Sequence, residues 1–262
     1  MRLDRWRYWP LLLFFGFYLL PVGLASLGHW FDGERPRHWW QARTDSTGLA
    51  PDPVTTPEAV VQVYGARAFR WRGIFGVHTW VAIKPRDGDS YTRLEVMGWG
   101  VSRGAPAVRV RQGIAPDGYW FGALPEVLTE HRGELAEQLI ERLLVAVAQY
   151  PHASEYRVWP GPNSNTFVAH LGRRVPELAL DLPPTAIGKD YLGQSRWLGR
   201  APSGGGMQLS LGGYLGVLVA PEEGVEINLL GLAAGVDFFN PALRLPGLGR
   251  IGVGTGERAL AR

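Results

Sequence analysis

A long apolar segment lies near the N-terminus of the chain. From Tyr8 to Phe31 there is no Asp, Glu, Lys or Arg, and this length is near the roughly 20 residues with which a helix crosses a bilayer. Trp9 and Trp30 stand where interfacial aromatic residues belong. We expect residues 1–31 to form a single-pass anchor in a bacterial inner membrane, with the following domain facing the periplasm or the cell exterior. A cleaved signal peptide and a buried core helix remain as alternatives.

Residues 32–57 are predicted to form a linker. After it, apolar and polar positions alternate with the period of a β-strand in some segments and with the period of an α-helix in others. Strands are predicted at Ala59–Ala66, Val77–Ile83, Tyr91–Met97, Val108–Gln112 and Glu155–Val158. Apolar residues spaced by four predict a helix from Glu134 to Gln149. A second helix is predicted to end near Arg174, with Asn163 or Ser164 as its cap. This mixed order predicts an α+β domain over residues 58–200.

Residues 201–262 differ in character and begin with a glycine-rich break. Met207 to Val219 and Val225 to Asp237 are extended apolar segments joined by the turn sequence Pro221-Glu222-Glu223-Gly224. Each is too short to cross a bilayer as a helix. We therefore expect a C-terminal β-hairpin extension that packs on the domain or lies at the membrane surface.

Composition narrows the possible functions. Hydrophobic residues make up 46% of the chain and charged residues 19%, so the chain can bury a core. The net charge is only +3 and the basic residues are scattered, so nucleic acid is not an expected partner. The absence of cysteine excludes disulfides, thiolate metal sites and a cysteine nucleophile. The histidines lack metal-ligand spacing, and we predict neither a metal nor a cofactor.

His78 and Glu95 form the strongest candidate pair for chemistry. If their strands form a hairpin that turns between Arg86 and Asp87, residues whose numbers sum to 173 lie opposite each other, which places His78 across from Glu95. Their Cβ atoms are then about 5 Å apart. A carboxylate at that distance can orient one imidazole nitrogen and leave the other free as a base. Such a pair is also common as a purely structural polar contact.

Ser164 is the candidate nucleophile, because it follows the stiff loop Trp159-Pro160-Gly161-Pro162-Asn163 at the start of a predicted helix. Free backbone N–H groups and the positive end of the helix dipole can stabilise an oxyanion there. The alternative role is a helix cap that contributes about 1 kcal/mol. Elsewhere, Lys189 and Asp190 are interpreted as a surface ion pair or as a site for an anionic group.

The order of these residues resembles that of a known superfamily. His78-Thr79-Trp80-Val81-Ala82-Ile83 on a strand, Glu95 on the next strand and Asn163-Ser164-Asn165-Thr166-Phe167 opening a helix are similar to the circularly permuted papain-like proteins, including NlpC-type amidases and lecithin-retinol-acyltransferase-type enzymes. The resemblance implies an antiparallel sheet packed on helices. In that superfamily the nucleophile is normally cysteine, so Ser164 departs from the pattern.

The stretch from about Val60 to Gly252 also resembles a bacterial domain-of-unknown-function family, family 3750. The segments that carry this resemblance are Gly73–Trp80, Trp159–Phe167, Ala186–Tyr191 and Leu245–Arg250. They mark the family and imply no activity.

Two functions therefore remain open. The first is a membrane-anchored hydrolase or acyltransferase for an envelope amide or ester, such as peptidoglycan peptide or lipid, in which Ser164 attacks, His78 moves the proton and Glu95 orients His78. The Ser164 N–H, together with Asn163 or Asn165, is then expected to bind the oxyanion, and Trp80 to contact the substrate. The second is a non-catalytic envelope binding or scaffold protein with a degenerate papain-like cleft.

Overall fold

A computed structural model of the chain describes residues 8–31 and 38–252 and begins with an apolar helix, Trp9–Phe31. The helix consists of α1 (Trp9–Phe14), a π-helical turn (Phe15–Leu19) and α2 (Leu20–Phe31). It is long and apolar enough to cross a membrane, and most of it is exposed. The predicted basic tail at residues 1–7 and the end of the chain after Gly252 lie outside the described residues.

A five-stranded antiparallel sheet follows. Its strands are β1 (Val60–Arg67), β2 (Val77–Lys84), β3 (Thr92–Val96), β4 (Val108–Gln112) and β5 (Glu126–Arg132). Their order across the sheet is β4-β3-β2-β1-β5. The first four lie where the alternating pattern predicted strands. The sequence did not reveal β5, and the predicted strand at residues 155–158 is irregular chain.

Helices cover one face of this first sheet. A short helix, α3 (Arg72–Phe75), precedes β2, and two longer helices, α4 (Gly133–Ala148) and α5 (Ser164–Arg174), close to their predicted bounds, pack on the sheet. The core between sheet and helices includes Val81 and Leu94 from the strands and Leu139, Leu143 and Phe167 from the helices, all fully or almost fully buried. These helices make the fold a mixture of α-helix and antiparallel β-sheet.

The other face of the first sheet is covered by irregular chain. Asp117 accepts hydrogen bonds from the backbone N–H groups of Leu49 and Ala50 at 2.6 and 3.1 Å and from the Ser46 hydroxyl at 2.8 Å. Trp80 donates its indole N–H to the Pro116 carbonyl at 2.7 Å. The described part of the predicted linker is therefore packed on the domain, because its backbone groups are hydrogen-bonded to Asp117.

The C-terminal region forms a seven-stranded antiparallel sheet and not the single hairpin that we expected. Its strands are β6 (Leu198–Gly199), β7 (Met207–Leu211), β8 (Leu215–Ala220), β9 (Gly224–Leu229), β10 (Leu232–Asp237), β11 (Ala242–Leu245) and β12 (Gly249–Gly252). Each strand pairs with the next along the chain. Both predicted long strands fold back on themselves, at Gly212-Gly213 and at Leu230-Gly231, where all four residues have positive φ. The predicted boundary at residue 200 stays a prediction.

Candidate functional site

His78 on β2 and Glu95 on β3 lie side by side, although the predicted register is wrong. The paired residues of β2 and β3 sum to 175, as in Val81 with Leu94, so Glu95 is a diagonal neighbour of His78. The shift of two residues preserves the face on which each side chain lies, because side chains alternate with a period of two. His78 Nε2 is 3.4 Å from Glu95 Oε2, and both side chains are buried.

Two arginines balance the charge of Glu95. Arg93 donates to Glu95 Oε2 at 3.0 Å, and Arg111 on β4 donates to Oε1. Burial by itself raises the pKa of Glu95, but the hydrogen bond with His78 and the charge of Arg93 outweigh it and lower the pKa to about 2. Glu95 is therefore the buried centre of two ion pairs, with Arg93 and Arg111, and His78 is a more distant polar neighbour.

Aromatic rings enclose the His78 imidazole. The ring stacks on Trp120 with 3.5 Å between centroids and 5° between planes, and it also stacks on Trp80 at 5.7 Å. The Arg93 guanidinium lies over the Trp80 ring, 4.1 Å from its centroid. Burial lowers the pKa of His78, and the contact with Glu95 opposes that effect only in part. His78 is therefore neutral at physiological pH and is 6% exposed.

Ser164 is the first residue of α5, whose cap is Asn163. The Asn163 side chain accepts from the backbone N–H groups of Asn165 and Thr166 at 2.9 and 3.1 Å, and Thr166 Oγ1 accepts from the Asn163 N–H at 3.1 Å, which completes a capping box. The Asn163 amide also donates to the carbonyls of Val158 and Ile187. Both predicted oxyanion amides are engaged, since Asn165 donates to the carbonyls of Val77 and Ile187.

The first sheet separates these two groups of residues. Thr79 donates its hydroxyl to Asn165 Oδ1 at 2.9 Å and contacts the Ser164 carbonyl at 3.4 Å, so the start of α5 lies on the face of the sheet to which Thr79 points. His78 is the preceding residue of β2 and points to the opposite face. The structure thus joins His78, Glu95 and Trp80 on one face and Asn163, Ser164 and Asn165 on the other. It does not bring the six into one pocket.

Replacing Asn163 with alanine is expected to lower the free energy of unfolding by about 1 to 2 kcal/mol, because the capping box is lost. Replacing Ser164 with alanine is expected to change it by no more than about 0.5 kcal/mol, since Asn163 caps the helix and alanine is a good helix former. Urea denaturation in mild detergent, followed by tryptophan fluorescence, measures both. A larger loss for Ser164→Ala than for Asn163→Ala contradicts this assignment of the cap.

A second buried ionic cluster joins the second sheet to the chain that follows α5. Lys189 is fully buried, and its Nζ is 2.6 Å from Glu226 Oε2 on β9. Arg244 on β11, also fully buried, donates to Glu226 Oε1, to Asp181 at 3.0 Å and to the Leu182 carbonyl at 2.6 Å. The predicted surface pair of Lys189 with Asp190 is wrong, because the Lys189 ammonium is directed at Glu226 inside the protein.

Two carboxyl groups near this cluster titrate above their usual range. Burial raises the pKa of Asp190 to about 6, against the opposing charge of Lys189. Burial also raises the pKa of Glu223 to about 7, although Glu223 Oε1 accepts a 2.8 Å hydrogen bond from the Ser203 N–H. Glu223 Oε2 is buried without a hydrogen-bond partner among the described residues. The protonation of this region therefore changes near neutral pH.

Fold and site together define an α+β protein with an apolar N-terminal helix, two antiparallel sheets and buried ionic groups that mainly pair with one another. A family model described as "Protein of unknown function (DUF3750)" matches residues 58–191, just over half of the chain. The chain belongs to this family, as the sequence motifs indicated. The matched region includes the first sheet, α4, α5 and both groups of candidate residues. No curated protein and no solved structure matches the chain.

Proposed function

We propose that this chain is a membrane-anchored protein of the bacterial cell envelope that acts as a binding or scaffold protein and not as a serine hydrolase or acyltransferase. The observation that carries the proposal is the position of Ser164 across the first sheet from His78 and Glu95. A serine hydroxyl acts as a nucleophile when a base within hydrogen-bond reach takes its proton. The papain-like interpretation needs the imidazole on the side of the sheet that carries α5, where β2 presents Thr79.

The surroundings of Ser164 also favour a structural role. An oxyanion hole needs donors that are free to point at the reacting oxygen. At the start of α5 the N–H groups of Asn165 and Thr166 donate to Asn163 Oδ1, and the Phe167 N–H donates to the Asn163 carbonyl. With these donors engaged, the first turn of α5 mainly fixes the helix on β2.

The N-terminal helix supports the membrane anchor. Its side chains from Leu11 to Leu13 are more than half exposed, which suits contact with lipid and differs from the core helix of a soluble protein. In the sequence, Arg2, Arg5 and Arg7 precede the helix, and a short basic tail favours the cytoplasmic side of the membrane. The domain is then outside the cytoplasm, held against the inner membrane.

Labelling with a fluorophosphonate probe tests the absence of serine catalysis. We expect the full-length protein in detergent to give no labelling above that of the Ser164→Ala variant, because the predicted base, His78, lies across the sheet from Ser164. His78→Gln, which keeps a hydrogen-bonding group beside Glu95, is expected to give the same result. An active serine hydrolase added to the same samples verifies that the probe reacts.

Labelling of the wild-type chain that disappears in both Ser164→Ala and His78→Gln contradicts the proposal and supports the hydrolase. The melting temperatures of both variants are measured in parallel, so that a loss of labelling through unfolding is recognised. Since Ser164→Ala is expected to fold normally, the comparison with this variant decides the result even if His78→Gln is unstable.

A further inference from the structure

The second sheet has an outward face that is wholly apolar. By the strand register, the residues on the outward side are Leu198, Met207, Leu209, Leu211, Leu215, Val217, Val219, Val225, Ile227, Leu229, Leu232, Ala234, Val236, Leu243, Leu245, Gly249 and Ile251, of which Ala234, Leu245 and Gly249 are buried. We call this surface the apolar sheet face. Nine of these side chains, from Met207 to Ile251, are 42% to 52% exposed. A contiguous apolar surface of this kind marks a contact with another apolar phase or partner.

The inward face of the same sheet carries the polar residues. These are Gln208, Ser210, Glu226, Asn228, Asp237 and Arg244, each almost fully buried. A sheet that covers a soluble domain normally turns its apolar residues inward and its polar residues to water. The second sheet has the reverse arrangement, in which the buried polar side chains are hydrogen-bonded inside the protein and the apolar ones face out. Proteins that contact lipid through a sheet use this arrangement.

The N-terminal helix lies against this sheet. The Tyr18 hydroxyl donates to the Ile227 carbonyl of β9 at 2.9 Å, and the turn Phe15–Leu19 contacts β10. Farther along, Ala25 and Val22 approach Gly247 so closely that a Cβ at position 247 would lie 2.8 Å from the Ala25 Cβ. The apolar helix and the apolar sheet face are therefore neighbouring parts of one surface of the molecule.

The depth of this contact can be estimated from helix geometry. Tyr18 is nine residues beyond Trp9, which is about 13 Å along a helix that rises 1.5 Å per residue. The hydrocarbon core of a bilayer is about 30 Å thick. If the helix crosses the bilayer, Tyr18 lies near the middle of the core, and a sheet that contacts Tyr18 is at the level of the acyl chains.

We propose that the apolar sheet face contacts the acyl chains of the leaflet next to the domain, so that the second sheet is embedded in that leaflet beside the helix. This inference rests on the proposed anchoring by the helix. Strands β7 to β11 are paired on both sides, so their backbone groups are hydrogen-bonded, as lipid contact requires. Exposed aromatic residues flank the sheet, namely Trp159, Tyr214, Phe238 and Phe239.

Lipid fits the apolar sheet face better than a second copy or a soluble partner. None of the outward residues from Met207 to Ile251 carries a charge or a hydrogen-bonding side chain, whereas protein interfaces combine an apolar centre with a polar rim and direct hydrogen bonds. The membrane-crossing helix lies beside Ile227. A partner approaching from water would have to displace lipid around that helix to reach the face.

Site-directed spin labelling tests the contact, and the cysteine-free chain allows single cysteines to be introduced. Val217→Cys places a label on the apolar sheet face, and Leu144→Cys places the control label on α4, where the native side chain is similarly exposed, 44% against 42%. The full-length protein is reconstituted in vesicles of phosphatidylcholine and phosphatidylglycerol. We expect the label at 217 to lose collisions with a water-soluble nickel complex and to keep those with oxygen, while the label at 144 collides with both.

Each outcome decides the inference. A label at 217 that meets nickel as readily as the label at 144 overturns the lipid contact, and if the protein still sediments with the vesicles, the anchor itself stands. A label at 217 shielded from both reagents, with spin–spin broadening that disappears on dilution with unlabelled protein, indicates a second copy and also overturns it. Protein that does not sediment with vesicles contradicts both proposals. Leu209→Cys on the same face repeats the test if Val217→Cys folds poorly.

Discussion

Replacing Arg244 with methionine is expected to lower the free energy of unfolding by about 3 to 5 kcal/mol, the cost of leaving buried charges without their partner. Arg244 is fully buried between Glu226 and Asp181 and also binds the Leu182 carbonyl. Methionine fills much of the volume but donates no hydrogen bond, so Glu226 keeps only Lys189. Urea denaturation of both proteins in the same mild detergent measures the difference.

The control for this experiment is an arginine whose ion pair lies in water. Arg142 on α4 is 2.7 Å from Glu177, and both side chains are about half exposed. Arg142→Met is expected to cost less than about 1 kcal/mol, because exposed pairs gain little over their separate hydration. Equal losses for Arg142→Met and Arg244→Met would show that the buried cluster adds nothing to the packing of the second sheet on the chain between residues 181 and 189.

The second large effect is a dependence of stability on pH that originates at Glu223. Burial raises the pKa of Glu223 from its ordinary 4.5 to about 7. A carboxyl group whose folded-state pKa is raised stabilises the fold below its unfolded pKa, and this contribution is lost as the pH rises through the folded value. As the pH rises from about 5 to about 8, we expect the deprotonation of Glu223 to lower the free energy of unfolding by about 2 to 3 kcal/mol, since a tenfold change in proton affinity equals about 1.4 kcal/mol.

Glu223→Gln tests this expectation, because the amide has no proton to lose. The wild type should lose about 2 to 3 kcal/mol more than this variant when both are denatured with urea at about pH 5 and about pH 8. Other titrating groups, such as Asp190, are present in both proteins, so their contributions to the pH dependence cancel in the comparison. Glu177→Gln is the control, since Arg142 lowers the pKa of Glu177 and this carboxylate stays ionised over the range. A wild type and Glu223→Gln with the same pH dependence would contradict the assignment.

The sequence alone predicted most of the first sheet and its helices. The period of two in β2 and the apolar spacing by four in α4 are strong local signals, and most of the apolar residues that carry them lie in the core, although Leu135 is exposed. The cap of α5 was also visible as a polar residue before an apolar helix. Strand β5 was missed because its burial is partial and α4 begins directly after Arg132.

The candidate site could be predicted only in part, for two physical reasons. The register of β2 with β3 depends on the length of the connection between Lys84 and Thr92, which the sequence does not define. The side of the sheet that α5 covers was not evident either, because both faces of β2 are buried and His78 and Thr79 are equally compatible with a packed helix. Arg93 could have been predicted as a partner of Glu95, since the two residues are two positions apart and therefore lie on the same face of β3.

The number of strands in the second sheet was underestimated because the alternation of inward and outward side chains continues up to the turns. Only the glycines at 212, 213 and 231 interrupt the pattern, and short turns of this kind need a backbone conformation that glycine adopts easily. Nothing in the sequence marks the inward residues Glu226 and Arg244 as buried, since charged side chains are seldom buried unless they are paired. Their burial depends on contacts with Lys189 and Asp181, which are distant along the chain.

The close fit of Val22 and Ala25 against Gly247 has a consequence for recombinant work on this family. Deleting the N-terminal helix up to Phe31, to obtain a water-soluble fragment, uncovers the turn at Gly247. It also leaves Val217 and its neighbours in water and without the proposed lipid contact. Such a fragment would expose the whole apolar sheet face to water and is expected to aggregate during purification. Production with the helix retained, in detergent or nanodiscs, keeps that surface in the surroundings for which its side chains are suited.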